Sequence, residues 1–256
     1  MPDMALLDLF LFVGATFAAA LVAGVAGFAF GLIAAAVWLH VLTPVQTTTL
    51  IVAFGLIVQG YAVWKLRRAI DFNRLLPFLI GGVIGLPVGV AILRWTPVAE
   101  LRIAVGILLV VFSVYSLVRP QLRRITAGGR LADGGVGVLS GILGGTTGFG
   151  GILPTIWCTV RGWPKDEQRA VFQPTGVAIF LGTALCLGGT GMVTADSVRL
   201  FLIGLPALLA GSWVGLRLYG RLDEAGFRRL VLVLLLVSGL ALIVPAFIGI
   251  LPPMRS

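Results

Sequence analysis

The chain has 256 residues, of which 59% are hydrophobic and only 11% are charged, and its mean hydropathy is +1.08. A soluble domain of this size carries about 25% charged residues, so most of this chain cannot face water. Two cysteines and one histidine are too few ligands for a zinc or iron–sulfur site and do not suggest a disulfide framework, and we expect no cofactor.

The net charge of +9 does not indicate nucleic acid binding, because basic loops on the cytoplasmic side are what membrane topology requires. The longest polar stretch, residues 119–133, is too short for a separate soluble domain. The composition therefore predicts an all-α polytopic membrane protein whose surroundings are the lipid bilayer.

Ten apolar segments follow one another along the chain. The first five lie at residues 5–23, 26–42, 46–64, 73–93 and 101–118, and the second five lie at residues 132–144, 148–160, 170–188, 198–218 and 228–248. In each set, two segments lie back to back across a glycine cluster and three full-length segments follow. This pattern predicts a broken or re-entrant helix pair and then three transmembrane helices in each half.

An internal repeat relates the two sets. Residues Gly24–Phe28 align with Gly145–Phe149 at an offset of 121, and the Gly-x-x-x-Gly pair at 85–89 aligns with the pair at 211–215 at an offset of 126. Each match alone is weak, since small residues at this spacing are common in membrane helices. Their shared order predicts a first repeat at 1–118, a basic linker at 119–131 and a second repeat at 132–256.

Charge counting decides the orientation of the repeats. If each broken pair spans twice or re-enters, the two sides of the membrane carry 15 and 4 basic residues, whereas a single broken span gives 10 and 9. The positive-inside rule favours the first arrangement, which inverts the second repeat, places the linker in the cytoplasm and leaves both termini outside. The inner set is Lys65, Arg67, Arg68, Arg74, Arg119, Arg123, Arg124, Arg130, Arg161, Lys165, Arg169, Arg217, Arg221, Arg228 and Arg229, and the outer set is Arg94, Arg102, Arg199 and Arg255.

The most informative stretch is Gly141–Pro154, which reads GILGGTTGFGGILP. Non-helical backbone at membrane depth must line a cavity or be buried in protein. A half-helix that starts around Ile152 would present free N–H groups and a positive dipole end, which bind an anion without a charged side chain. Thr146 and Thr147 can add hydroxyl donors. The alternative is a glycine-rich crossing point that serves helix packing only.

Two further features complete the candidate site. The first-half break Gly24–Gly31 is more apolar, and its Phe28, with Phe149, could wall an organic part of a substrate or simply face lipid. The Gln173-Pro174-Thr175 stretch lies early in the eighth segment, where Gln173 serves the site or a helix-to-helix hydrogen bond. The candidate substrate-binding residues are Gly27, Phe28, Gly145, Thr146, Thr147, Gly148, Phe149, Gly150, Gly151, Gln173 and Thr175.

Inside the apolar segments no Asp, Glu, Lys or Arg lies clearly away from an end, which argues against a relay of buried carboxylates and leaves the coupling ion open. His40 is interpreted as structural. A rhomboid-type protease needs Gly-x-Ser-Gly, and the spacing around Ser140-Gly141 fails, so we expect no enzyme activity. Inverted repeats with interrupted helices are a transporter design, although a passive anion channel could share it.

These residues carry a resemblance to a known family. The duplicated halves, the break Gly144–Gly151 followed by Pro154, and the downstream Gln168–Gln173 resemble the TauE/SafE-type sulfite exporter family, also called the toluene sulfonate uptake permease family. The first half departs from the pattern because Gly24–Gly31 lacks the dense glycine run.

The resemblance implies a bacterial or plant membrane carrier for sulfur-containing anions such as sulfite, sulfoacetate or aromatic sulfonates. We expect a multi-pass protein of a bacterial inner membrane, and the inverted repeats predict alternating access around a midplane site. The anion, the direction of transport and the formation of a homodimer stay open.

Overall fold

A computed structural model describes residues 6–26, 30–67, 70–118, 128–218, 232–233 and 235–244. Within these residues the chain forms helices and no strand, and each of the ten apolar segments contains a helix, which confirms the all-α prediction. The helices are α1 (Leu6–Ala26), α2 (Phe30–Val41), α3 (Pro44–Leu66), α4 (Phe72–Trp95), α5 (Val98–Val118), α6 (Gly129–Thr147), α7 (Ile152–Val160), α8 (Lys165–Gly189), α9 (Ala195–Leu218) and α10 (Leu235–Val244).

Five stretches of the described residues are long and apolar enough to cross a membrane, and they lie in α1, α4, α5, α8 and α9. Such a helix needs about 20 predominantly apolar residues to span the hydrocarbon core. α2 and α10 are apolar but shorter. The chain is therefore a polytopic membrane protein. The candidate spans are Leu6–Gly24, Phe72–Trp95, Val98–Val118, Glu167–Gly189 and Ala195–Leu218.

The described residues fall into two compact units, and each unit draws helices from both halves of the sequence. Unit 1 contains α1, α2, α5, α10 and most of α9, and unit 2 contains α4, α6, α7, α8 and most of α3. The two sequence repeats at 1–118 and 132–256 stay a prediction about duplication. The unit boundaries are Met1–Thr47, Thr96–Pro120 and Leu202–Ser256 for unit 1, and Thr48–Trp95 and Gln121–Phe201 for unit 2.

In unit 2, glycines bring the backbones of α4 and α6 into direct contact. A Cβ added to Gly85 would collide with the carbonyl oxygen of Val138, and one added to Gly89 would collide with that of Ile142. Membrane helices associate through such close packing, because lipid offers no hydrophobic drive for their association. Any larger residue at Gly85 or Gly89 would therefore force the two helices apart.

Unit 1 contains a matching interface between α9 and α1. A Cβ on Gly211 would collide with the carbonyl oxygen of Phe17, and one on Gly215 with that of Leu21. Phe17 and Leu21 lie 121 residues before the α6 partners in unit 2, while Gly211 and Gly215 lie 126 residues after the α4 glycines. The fourth helix of each half thus packs on the first helix of the other half, at the offsets that the sequence alignment predicts.

Candidate functional site

The break after α6 depends on one glycine conformation. Gly148 has φ +79°, in the left-handed region, and its N–H donates to the carbonyl oxygen of Gly144 at 2.8 Å, which closes the helix. Residues with a side chain rarely adopt this backbone conformation, so glycine is favoured here. A Cβ at Gly148 would also lie 2.7 Å from Cγ2 of Ile51 on α3. Both the backbone and its neighbour therefore exclude a side chain.

Beyond Gly148 the chain folds back along α6. Ser140 in the middle of α6 donates its hydroxyl to the carbonyl oxygen of Gly150, and a Cβ on Gly144 would lie 3.1 Å from the Cα of Gly150. α7 then starts at Ile152, the position that the sequence predicts. Nine residues of helix extend about 14 Å, less than half of the roughly 30 Å hydrocarbon core.

A buried ion pair closes the base of this hairpin. Asp133, near the start of α6, accepts hydrogen bonds from Trp157 Nε1 at 2.7 Å and from Arg161 at 2.8 Å, and Arg161 follows the last residue of α7. The Asp133 and Arg161 side chains are only 9% and 10% exposed. The start of α6 and the end of α7 therefore lie side by side. α6 and α7 thus form a hairpin, in which α7 is too short to cross the hydrocarbon core by itself.

The first turn of α7 carries backbone donors beside open space. The Ile152 N–H donates to the Phe149 carbonyl oxygen at 3.1 Å, and Pro154 has no N–H to offer. Among the described residues, the N–H groups of Gly151 and Leu153 have no acceptor. No heavy atom lies within 4 Å of a Cβ built on Gly151. Unpaired N–H groups at the positive end of a helix are an anion-binding arrangement.

The threonine hydroxyls predicted as donors are engaged elsewhere in this conformation. Thr146 Oγ1 donates to the carbonyl oxygen of Ile142 at 2.8 Å, and the carbonyl oxygen of Gly89 lies 3.1 Å from the same hydroxyl. Thr147 Oγ1 donates to the carbonyl oxygen of Leu143 at 2.7 Å. Such bonds to the preceding turn are a usual alternative for threonine in helices. The backbone N–H groups are therefore the donors that remain at the break.

The other predicted residues divide between the break and its support. Phe149 is 4% exposed, and Gly145 faces α4, where a Cβ would lie 2.7 Å from the carbonyl oxygen of Leu86. On α8, Thr175 donates to the carbonyl oxygen of Val171, while Gln173 is 6% exposed and its Oε1 has no hydrogen-bond partner among the described residues. The residues that the sequence predicts at the first-half break, Gly27 and Phe28, lie outside the described residues.

Sequence reasoning missed the residues that hold the break from outside it. Ile179 of α8 packs on Gly150, where a Cβ would lie 2.6 Å from the isoleucine Cγ2, and Thr48 of α3 donates to the carbonyl oxygen of Thr146 at 3.1 Å. These contacts join residues far apart in the chain and leave no local signal. Across the described residues, no group of three or more His, Cys, Asp or Glu side chains is arranged to hold a metal ion.

The membrane-length helices and the glycine break between α6 and α7 define a multi-pass helical membrane protein, and transporters commonly contain helices interrupted in this way. The sequence model of the sulfite exporter TauE/SafE family matches residues 11–242, most of the chain. The chain belongs to the TauE/SafE sulfite exporter family, which confirms the resemblance seen in its sequence. This is a family of membrane transporters. Searches of curated proteins and of solved structures each found no match.

Proposed function

We propose that the chain is a secondary carrier for a small sulfur-containing anion, such as sulfite or a sulfonate, working by alternating access. The observation that carries the proposal is the first turn of α7, where the N–H groups of Gly151 and Leu153 make no hydrogen bond to a described residue and Gly151 borders open space. The anionic head would lie there, at the tip of the α6–α7 hairpin.

The chemistry of these donors selects the kind of anion. Arg161 lies at the opposite end of α7 and is paired with Asp133, so the break itself offers neutral N–H groups and a helix dipole. A sulfite or sulfonate head spreads its charge over three oxygens, which can accept several N–H bonds at once. Such a head needs no fixed cation beside it.

Matching helix interfaces within each of the two units fit the alternating-access part of the proposal. The α4–α6 and α9–α1 interfaces match at offsets of 121 and 126, as expected for duplicated halves with related roles. Inverted repeats with interrupted helices let one part of a transporter move against another around a central site. We place the protein in a bacterial inner membrane with both termini outside. A passive anion channel of the same fold is the alternative.

Flux measurements on the purified protein in liposomes separate these functions. Labelled sulfite or methanesulfonate is added outside liposomes that contain the same unlabelled anion, with protein-free liposomes as the control. A carrier gives uptake that saturates and is accelerated by the internal anion. Flux that rises linearly and shows no acceleration would support the channel. Uptake equal to that of protein-free liposomes would contradict both functions.

A further inference from the structure

In unit 2, α3 and α8 pack antiparallel in a defined register. A Cβ on Gly55 of α3 would lie 2.5 Å from the Phe180 ring, and a Cβ on Gly176 of α8 would lie 2.6 Å from Oε1 of Gln59. Gln59 lies four residues after Gly55 on α3, and its contact Gly176 lies four residues before Phe180 on α8, so the two helices run in opposite directions. The amide of Gln59 therefore lies on the backbone of α8 at Gly176, in space that only a glycine leaves free.

A second amide lies one turn away on α8. Gln173 and Gly176 are three residues apart, so they occupy neighbouring positions on one side of the helix. Gln173 is 6% exposed, and its Oε1 is buried without a partner among the described residues. Leaving a buried polar group unsatisfied destabilises a fold. A ligand that hydrogen-bonds to this amide would remove that destabilisation.

The same two helices hold the break. Ile179, one turn beyond Gly176 on α8, packs on Gly150, and Ile51 of α3 packs on Gly148. Along α8, Gly176, which contacts Gln59, therefore lies between Gln173 and Ile179, which contacts the break. An anion bound at the first turn of α7 would find these amides on the helices that support that turn.

We propose that Gln59 is a substrate-binding residue and forms, with Gln173, an amide pair that donates N–H groups to the oxyanion. This rests on the proposed function and extends the site from the break to the α3–α8 interface. Rotation of an amide by half a turn exchanges its oxygen and nitrogen ends, so the unpartnered end of Gln173 can present N–H groups to an anion. Two neutral amides add up to four donors without adding charge.

Two substitutions test the role of Gln59 from different directions. Gln59→Met keeps the length of the side chain and removes its polar end. Gly176→Ala keeps every polar group, but its methyl displaces the Gln59 amide. Each should weaken binding of sulfite and methanesulfonate by about three- to tenfold, the effect of losing one hydrogen bond, with an unchanged melting temperature. In the Gln59→Met background, Gly176→Ala should cause no further loss.

The matched control is Gln46→Met in the first turn of α3, where Oε1 of Gln46 already accepts from the Thr43 N–H at 3.1 Å. This variant should bind as the wild type does. If Gln59→Met and Gly176→Ala leave affinity unchanged while the wild type binds, the amide pair only joins helices and the inference is wrong. Should the wild type itself bind neither anion, the proposed function fails as well. If one variant does not fold, the other decides the outcome.

Discussion

At the scale of single residues, the glycines of the break have different roles. Gly148 supplies a left-handed conformation, Gly145 lets α6 approach α4, and Gly151 leaves space beside the α7 donors. The glycine cluster predicts a break and the start of α7, because it lies between two apolar segments. It does not reveal the role of each glycine, since these roles depend on partners that are distant in the chain, such as Ile51 and Ile179.

The threonines show a second limit of prediction at this scale. In the sequence, a hydroxyl next to a helix break is interpreted as a donor to a ligand. In a helix, however, the carbonyl oxygen four residues earlier competes for the proton of that hydroxyl. Thr146 and Thr147 both make this bond. Only the structure shows which acceptor each hydroxyl uses.

Substituting Gly148 by alanine should lower stability and not only activity. The φ of +79° costs a residue with a side chain about 1–2 kcal/mol, and the new Cβ would lie 2.7 Å from Cγ2 of Ile51. Gly151→Ala is the matched control, because that Cβ meets nothing within 4 Å. The melting temperature should fall for Gly148→Ala and stay constant for Gly151→Ala. Equal losses in the two variants would contradict these roles.

At the scale of elements, the hairpins of the two halves share a contact. Asp133 accepts the indole N–H of Trp157 in the second half, and in the first half the carbonyl oxygen of Phe12 accepts the indole N–H of Trp38 at 3.4 Å. Phe12 lies 121 residues before Asp133, and Trp38 lies 119 residues before Trp157. The sequence predicts both helix pairs, but not these contacts between a long and a short helix. The apolar pattern also misses the polar first turn of α8, which begins at Lys165 rather than at residue 170.

Breaking the Asp133–Arg161 pair should destabilise the protein and displace α7 from its position against α6. Both side chains are about nine-tenths buried, and removing one partner of such a pair costs about 3–5 kcal/mol because the other charge stays uncompensated. Asp133→Asn should therefore lower the melting temperature and weaken anion binding in the fraction that remains folded.

The matched control is the Arg74–Glu167 pair, which joins the start of α4 to the start of α8 and is nearly half exposed. Exposed pairs of this kind contribute at most about 1 kcal/mol to stability, so Glu167→Gln should change neither the melting temperature nor the anion affinity appreciably. If Asp133→Asn has an effect as small as that of Glu167→Gln, the ion pair does not hold the hairpin.

At the scale of the whole molecule, the sequence predicts a duplication but not the exchange of helices between the halves. The offsets of 121 and 126 follow from order and spacing alone. That α4 packs on α6, and α9 on α1, depends on glycine surfaces that match across the two halves. Small residues at this spacing are too common to identify partners before the contacts are seen.

The 15 to 4 division of basic residues predicts the orientation of the chain in the membrane. Single cysteines at Pro2 and Ser256 should react with a membrane-impermeant reagent from outside in intact cells, on a chain whose native cysteines, Cys158 and Cys186, have been replaced. A cysteine at Gly128 should react only after the membrane is opened. Labelling of the Gly128 position in intact cells would contradict the inverted arrangement.

The claim that an anion binds at the first turn of α7 is tested most directly by the affinity of Gly151→Val for sulfite and methanesulfonate. A Cβ at Gly151 or at Gly135 meets nothing within 4 Å, so Gly135→Val in α6 is the matched control. Gly151→Val should weaken binding by about tenfold, as expected for the loss of one or two N–H bonds, with an unchanged melting temperature, while Gly135→Val binds normally. Wild-type affinity in folded Gly151→Val would contradict the site.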